Sequence, residues 1–291
     1  MTELAASFQF IETNGIRLHC AIAGENNRSN GTIILLHGFP EFWYCWRHQI
    51  ADLSRNWRVV APDMRGFNLS AKPEGVAQYS MKKVVADIAG LILSLGDEPV
   101  TLVGHDWGGA VAWPVAAHHS QLINKLIILN GPHPTVYMRE IIHNPAQRLA
   151  SQYILKFREP EAEAWLSADN YSRLLRIACV APENAAKYVE AWSQPGALTG
   201  GLNYYRAMQV PPPLPDAQVG EVDLPELNIS VPTLVIWGEQ DKAVLTGNLE
   251  GLDRYVENLT IHRIPHASHW VQQDAPDEVN LAIRRFLIDS Q

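Results

Sequence analysis

Cysteine is scarce in this chain: three in 291 residues, Cys20, Cys45 and Cys179, with no C-x-x-C spacing. An odd, dispersed set of this kind builds neither a disulfide framework nor a zinc site, and it fits a reducing cytoplasm. Clusters of positive charge are lacking too. The net charge is −8, the pI is near 5.7 and no stretch concentrates lysine or arginine, so a nucleic-acid backbone would be repelled. No run of about 18 uncharged apolar residues occurs, which gives no sign of a membrane span. Met1 to Phe8 has neither the basic n-region nor the apolar h-region of a secretory leader, so export is not expected. No histidine or cysteine spacing argues for a metal, and there is no internal repeat.

What the chain does have is apolar mass. Hydrophobic residues make up 47% and charged residues 19%, with nine Trp, nine Tyr and seven Phe, which excludes a disordered or fibrous protein. The length fits one large domain, or a core carrying a modest insertion. Short runs rich in Ile, Val and Leu recur at Thr32 to Leu36, Val59 to Ala61, Thr101 to Val103, Leu126 to Leu129, Thr233 to Trp237 and Ile261 to Ile264. Most are apolar on both faces, as strands of a parallel sheet covered by helices on both sides must be. Helical patterns fall between or after them, as at Met81 to Leu95 and Val279 to Ile288, so the expected class is α/β.

Between Leu129 and Thr233 the alternation of strand and helix fails, and the chain becomes helical, aromatic and rich in Arg and Glu. The turn-forming Gly131-Pro132-His133-Pro134 marks one edge, and the semi-rigid Pro211-Pro212-Pro213-Leu214-Pro215 marks the other. The expected organisation is a core of residues 1–132 and 215–291 with an inserted helical cap, or lid, over 133–214.

The chemistry is concentrated at Val103-Gly104-His105-Asp106-Trp107-Gly108-Gly109, after an apolar strand and before a helix-like run. Gly-x-nucleophile-x-Gly in that setting is a nucleophile elbow, whose glycines permit a sharp turn and leave the central residue unshielded. The central residue here is Asp106 rather than Ser. Attack by a carboxylate on an ester would give a mixed anhydride, whereas attack at an sp³ carbon gives an alkyl ester that water can hydrolyse. Serine-esterase chemistry is therefore disfavoured. An Asp that merely caps the following helix is the plainer explanation, and the three glycines around it argue against that.

His37-Gly38-Phe39-Pro40 follows the first parallel-type strand. In an elbow architecture that loop lies beside the turn, so the backbone N–H groups of Phe39 and Trp107 are expected to form an oxyanion hole. Later strands should supply an acid and a base. Gly238-Glu239-Gln240-Asp241 follows one, and Pro265-His266-Ala267-Ser268-His269-Trp270 follows the next. The order Asp106, Asp241, His269 is the nucleophile, acid and base order of the α/β-hydrolase fold, with Asp241 orienting the imidazole and His269 taking a proton from water. Glu239 and His266 compete for the same roles.

With these residues in view, the chain resembles an α/β-hydrolase of the epoxide hydrolase family along nearly its whole length. The similar stretches are His37 to Glu41, Trp43 to Arg47, Pro62 to Phe67, Gly104 to Gly109, Gly238 to Asp241 and Ser268-His269-Trp270. The resemblance implies that the base is the His before an aromatic residue, His269, and that the acid is Asp241. It also implies a pair of cap tyrosines that donate to the epoxide oxygen, a role suited to a phenol that is neutral at pH 7. Gln152-Tyr153-Ile154-Leu155-Lys156-Phe157-Arg158 resembles the first tyrosine segment and points to Tyr153. Leu202-Asn203-Tyr204-Tyr205-Arg206 resembles the second and points to Tyr205, with Tyr204 the alternative if the register slips by one.

The implied activity is conversion of a small-molecule epoxide and water to a vicinal diol through a hydroxyalkyl ester of Asp106, without cofactor or metal. Trp107, Phe39 and Pro40 are the expected substrate contacts, a homodimer is compatible with the reading, and the implied setting is xenobiotic or lipid-epoxide detoxification. Two rivals stand beside it. A haloalkane or haloacetate dehalogenase shares the Asp nucleophile, but Phe39 offers no side-chain amide to a halide and Trp107 stands where haloacetate enzymes carry Arg. A ligand-binding protein could reuse the pocket without turnover, although no member of the triad is missing. Three details depart from a simple pattern. Ser268 stands where the family usually has a smaller residue, often Gly. Pro114 is expected to kink the elbow helix or end a short first segment of it. Asn130 occupies a place where some relatives carry the acid, which favours Asp241. Asp63 and Arg65 read as stabilisers of a loop near the site, and His105 as a hydrogen-bonded neighbour.

Overall fold

The computed structural model describes residues 6–96, 99–220, 223–224 and 226–289. Eight strands make one sheet: β1 (Ser7–Thr13), β2 (Ile16–Ala23), β3 (Thr32–Leu36), β4 (Arg58–Pro62), β5 (Val100–His105), β6 (Ile123–Leu129), β7 (Thr233–Gly238) and β8 (Leu259–Ile264). Their spatial order is β1-β2-β4-β3-β5-β6-β7-β8, and every pair from β4 to β8 is parallel. Each of the six expected runs lies in a strand. The antiparallel hairpin of β1 and β2 was not among them. Its signal is Asn14-Gly15, a pair with positive φ at both residues (47° and 75°) that suits a two-residue turn matching strand twist.

The helices are α1 (Arg47–Leu53), α2 (Met81–Leu95), α3 (Trp107–His118), α4 (Pro134–His143), α5 (Pro145–Ala150), α6 (Tyr153–Phe157), α7 (Ala162–Ile177), α8 (Ala185–Trp192), α9 (Ala197–Arg206), α10 (Val271–Asp274) and α11 (Pro276–Asp289). Alternate strand residues feed two cores. Ile34, Leu36, Leu102 and Ile128 pack with Ile88 and Leu91 of α2 and Val111 and Val115 of α3. Ile33, Leu35, Val103, Ile127 and Leu129 pack with Ile50 and Leu53 of α1 and Val279 and Ile283 of α11. This double burial is why the central parallel strands lack a polar face, whereas the edge strand β8 is exposed from Thr260 to Arg263. The molecule has the α/β-hydrolase architecture, and helices α4 to α9 all lie between β6 and β7. Among the described residues no helix is long and apolar enough to cross a membrane.

Pro114 does not end a short first segment: α3 runs through it from Trp107 to His118. An interior proline costs about 3 kcal/mol. The neighbouring Val111, Ala112, Trp113 and Val115 are all wholly buried, and that packing offsets the lost hydrogen bond.

Strand register sets the position of the site. Leu36 pairs with Gly104 and His105 with Leu129, so β3, β5 and β6 end side by side. Gly238 pairs with Ile264, which brings the ends of β7 and β8 together at the same edge. A buried ion pair braces the neighbouring loop. Arg65 grips Asp87 of α2 through Nε and Nη2, both at 2.6 Å, while Asn14 donates to the same carboxylate at 2.8 Å and Thr13 to the Asp87 carbonyl at 2.7 Å. Asp63 is tied separately, accepting from His19 at 2.6 Å, Asn68 at 2.8 Å and the Trp43 N–H at 3.0 Å. Replacing Asp87 by Ala strands the Arg65 guanidinium in the interior. Urea denaturation is expected to register a loss of about 3–5 kcal/mol in unfolding free energy.

Candidate active site

Asp106 links β5 to α3 with φ 52° and ψ −121°, a backbone conformation that non-glycine residues rarely adopt. The turn is possible because of what its neighbours lack. A Cβ on Gly108 would lie 2.1 Å from the Leu36 carbonyl oxygen, and one on Gly38 would lie 2.1 Å from Asp106 Oδ1. The carboxylate makes no capping bond to the first turn of α3 beyond Trp107. Instead Oδ1 accepts from the Phe39 N–H at 2.8 Å, and the Trp107 N–H contributes to holding the carboxylate pKa down.

The loop that supplies Phe39 is fixed by His37, which is fully buried. Its Nε2 accepts from the Met64 N–H at 2.9 Å, so the proton sits on Nδ1, which donates to the Gly38 carbonyl at 2.8 Å. Burial keeps this imidazole below its usual pKa and hence neutral.

The other carboxylate oxygen, Asp106 Oδ2, faces His269 Nε2 at 3.6 Å, and His269 Nδ1 lies 2.7 Å from Asp241 Oδ2. Asp241 is in turn saturated with donors. Its Oδ1 accepts from the N–H groups of Ala243 and Val244 at 2.8 and 2.9 Å, and Asn130 donates to Oδ2 at 2.9 Å. Asn130 is thus a positioning residue, since it also clasps the Gly238 N–H at 2.8 Å at the end of β7. The competing candidates lie elsewhere: His266 pairs with Glu278 at 3.2 Å in an exposed position, and Glu239 pairs with Arg263 at 3.0 Å.

Burial alone pulls the His269 pKa down. The Asp241 charge, hydrogen bonds to both carboxylates and the Asp106 charge outweigh it and push the value up to about 10. For both carboxylates burial acts upward, but the imidazolium and the donated hydrogen bonds bring each below the usual range. The resting site is therefore carboxylate, imidazolium, carboxylate. His105 is buried beside it, and its Nε2 donates to the His269 carbonyl at 2.8 Å. Burial lowers its pKa to about 4, so it braces the base loop as a neutral ring.

The helical segment between β6 and β7 covers these groups with aromatic side chains. Tyr205 of α9 packs edge-on against Trp107, Phe39 and Phe157, at 5.1, 5.4 and 5.1 Å between ring centroids. Tyr153 of α6 lies edge-on to Tyr205, with 6.2 Å between ring centroids. Burial holds both well above the ordinary phenol pKa, so both carry their protons at neutral pH. Tyr204, the alternative by register, turns away and donates to the Arg65 carbonyl at 3.0 Å. Arg158 joins the two tyrosine segments by donating to the carbonyls of Tyr205 and Met208.

Several groups here have no signal in the sequence. Tyr137 of α4 shares a hydrogen bond with Ser151 at 2.9 Å, and burial raises its phenol pKa. Glu41, pushed up to about 7 by burial, accepts from Tyr188 of α8 at 2.6 Å and from Gln273 at 2.7 Å. Trp192 of α8 donates to the Pro40 carbonyl at 2.6 Å. A small cavity of about 10 Å³ between this helix and the core is lined by Phe39, Pro40, Phe67 and Leu198 among others. Trp107 is not among its walls and lies instead against the tyrosines. Among the described residues no group of His, Cys, Asp and Glu is arranged to hold a metal ion.

A strained Asp at a strand-to-helix turn, hydrogen-bonded backbone donors and a His–Asp pair on later strands define an α/β hydrolase. The family model for the alpha/beta hydrolase fold matches residues 31–276. Mouse epoxide hydrolase 4 is 38% identical over 293 residues, covering 95% of this chain and 78% of that protein. The AB hydrolase superfamily protein YfhM of Bacillus subtilis is 41% identical over 289 residues, covering 96% and 97%. Among solved structures, an epoxide hydrolase from metagenomes of hot environments superposes with a TM-score of 0.90 at 39% identity, covering 97% and 98%. An inhibitor complex of the Bacillus megaterium epoxide hydrolase gives 0.87 at 35%, covering 96% and 99%. The chain belongs to the epoxide hydrolase family of the α/β-hydrolase fold.

The raised His269 pKa has a consequence for stability. A folded pKa above the unfolded value of 6.5 contributes stability that is complete below about pH 6.5 and is lost as pH rises through about 10. Calorimetry across that window is expected to show the wild-type Tm falling more steeply than that of His269→Gln. Equal slopes would contradict the ion triad.

Proposed function

We propose that this protein hydrolyses epoxides to vicinal diols, with Asp106 as nucleophile, His269 as base, Asp241 as its orienting acid and Tyr153 and Tyr205 as proton donors. The observation that carries the reading is the division of labour within one carboxylate: Oδ1 accepts from the Phe39 N–H at 2.8 Å, and Oδ2 faces His269 Nε2 at 3.6 Å. Oδ2 attacks an epoxide carbon, the C–O bond breaks, and its electron pair goes to the ring oxygen. That oxygen takes a proton from Tyr153 or Tyr205. The product is a hydroxyalkyl ester of Asp106.

Esterification also switches the base on. It removes the Asp106 charge and hydrogen bond that help keep His269 protonated, so the imidazole releases its proton, balancing the one the phenol gave up. Neutral His269 then takes a proton from water, whose oxygen attacks Cγ of Asp106. The negative charge develops on Oδ1, between the N–H groups of Phe39 and Trp107. Collapse breaks the Cγ–Oδ2 bond, and the diol leaves with a proton from the imidazolium.

Residues 133–214 act in this reading as a cap that excludes water and carries the phenols. Trp107, Phe39 and Pro40 form the apolar wall against which the substrate lies. The paired phenols favour an epoxide over a haloalkane, which would leave both donors without a developing alkoxide, and related proteins named epoxide hydrolases support the same choice. A cytoplasmic protein fits the three unpaired cysteines, and a homodimer is compatible with the site, which draws on one chain.

Removing the base should trap the ester. Intact-mass spectrometry of His269→Gln after exposure to styrene oxide is expected to show a gain equal to the whole epoxide, absent when Asp106 is also changed to Asn. A bromoalkane adduct formed with loss of halide, and none from the epoxide, would move the assignment to a dehalogenase. Tyr153→Phe and Tyr205→Phe each leave one donor, and kcat for styrene oxide is expected to drop about 10-fold or more. In the double variant the drop should reach about 10²–10⁴-fold, measured by diol formation.

A further inference from the structure

Gln147 of α5 belongs to the helical segment and is wholly buried, yet its carboxamide is turned to the core loop that follows Asp241. Nε2 donates to the Ala243 carbonyl and Oε1 accepts from the Leu245 N–H, both at 2.8 Å. A carbonyl only accepts and a backbone N–H only donates, so the amide orientation is fixed. The side chain therefore brackets Val244, holding the peptide groups on either side of it. Asn248 closes the loop by donating to Gln147 Oε1 at 2.8 Å and to the Leu245 carbonyl at 2.9 Å.

The peptide group between Ala243 and Val244 is planar, so fixing its carbonyl fixes its N–H. That N–H donates to Asp241 Oδ1 at 2.9 Å, beside the Ala243 N–H at 2.8 Å. Asp241 Oδ2 in turn holds His269 Nδ1 at 2.7 Å. An unbroken series of short contacts thus runs from a helix of the segment to the imidazole. The second Nε2 hydrogen goes to Ser151 Oγ at 3.0 Å. Ser151 keeps Tyr137 as another partner at 2.9 Å, so loss of the amide leaves that side hydrogen-bonded.

We propose that Gln147 is a positioning residue for the hydrolytic half of the reaction: through the Ala243–Val244 peptide it fixes the Asp241 carboxylate that orients His269. Formation of the ester uses Asp106 and the phenols and does not pass through this route. The proposal rests on the epoxide hydrolase reading above.

Gln147→Met keeps the length of the side chain and removes its hydrogen bonds, and two measurements are expected to move together. The far-downfield proton resonance of His269 Nδ1, which reports the bond to Asp241 without any substrate, should shift upfield. In quenched-flow experiments with styrene oxide, read by intact mass, breakdown of the Asp106 ester should slow about 10- to 100-fold while its formation stays within about twofold of wild type. An unchanged resonance or an unchanged breakdown rate overturns the proposal. Equal slowing of both steps does so too, since the amide would then merely prop the whole segment. In each of these cases the function stands. If the wild type gives neither ester nor diol from styrene oxide, the function fails and the proposal with it. Should Gln147→Met not fold, Leu245→Pro takes its place, because Leu245 has a φ of −73° that proline accepts and the change deletes the N–H that Gln147 receives. The same two measurements then decide, with the same outcomes.

Discussion

The Asp106 carboxylate takes a backbone N–H on one oxygen and faces an imidazolium with the other, and most of the surrounding structure keeps those two sides distinct. The strained turn lifts the carboxylate clear of α3. The ends of β3 and β5, side by side in register, bring Phe39 to one oxygen. The ends of β7 and β8 bring Asp241 and His269 toward the other. Moving any one of these strand ends by a residue would turn the side chains to the wrong face of the sheet.

Electrostatics couples the two halves of the proposed reaction. A buried imidazolium between two carboxylates is favourable at rest and useless as a base. Consuming one of the carboxylates as an ester removes part of what holds the proton, so the base is generated by the step that needs it next. Asn130, Ala243 and Val244 keep the Asp241 charge in place throughout, by donating to it without neutralising it.

The helical segment is tied to the core at polar points as well as through apolar packing. Glu41 with Tyr188, the Pro40 carbonyl with Trp192, and Gln147 with the loop after Asp241 each join a helix of that segment to a core loop of the triad or oxyanion hole. A shift of these helices would therefore be felt at Phe39 and Asp241, and the phenols and the triad act as one unit.

Much of this was legible beforehand, for reasons that lie in local physics. Strands buried on both faces are apolar almost throughout, which marks β3 to β7, while the edge strand β8 is exposed from Thr260 to Arg263 and shows itself only by Leu259, Ile261 and Ile264; a turn as sharp as that at Asp106 needs Gly104 and Gly108, which marks the proposed nucleophile. Asp241 and His269 follow strand ends, and the tyrosine segments carry enough neighbouring residues to be matched. What a single chain of letters does not encode is which side chains meet across large separations. His266 and His269, Glu239 and Asp241, and Tyr204 and Tyr205 are chemically equivalent pairs in sequence, and strand register and helix rotation alone send one member to the site and the other to the surface or to Arg65. The same holds for Asn130 against Asp241 and for Tyr137 against Ser151. By itself the sequence determined the sheet, the elbow and the residue types the chemistry requires. The tertiary structure decided which of them face one another, because hydrogen bonds and charges act over a few ångströms in space and are indifferent to distance along the chain.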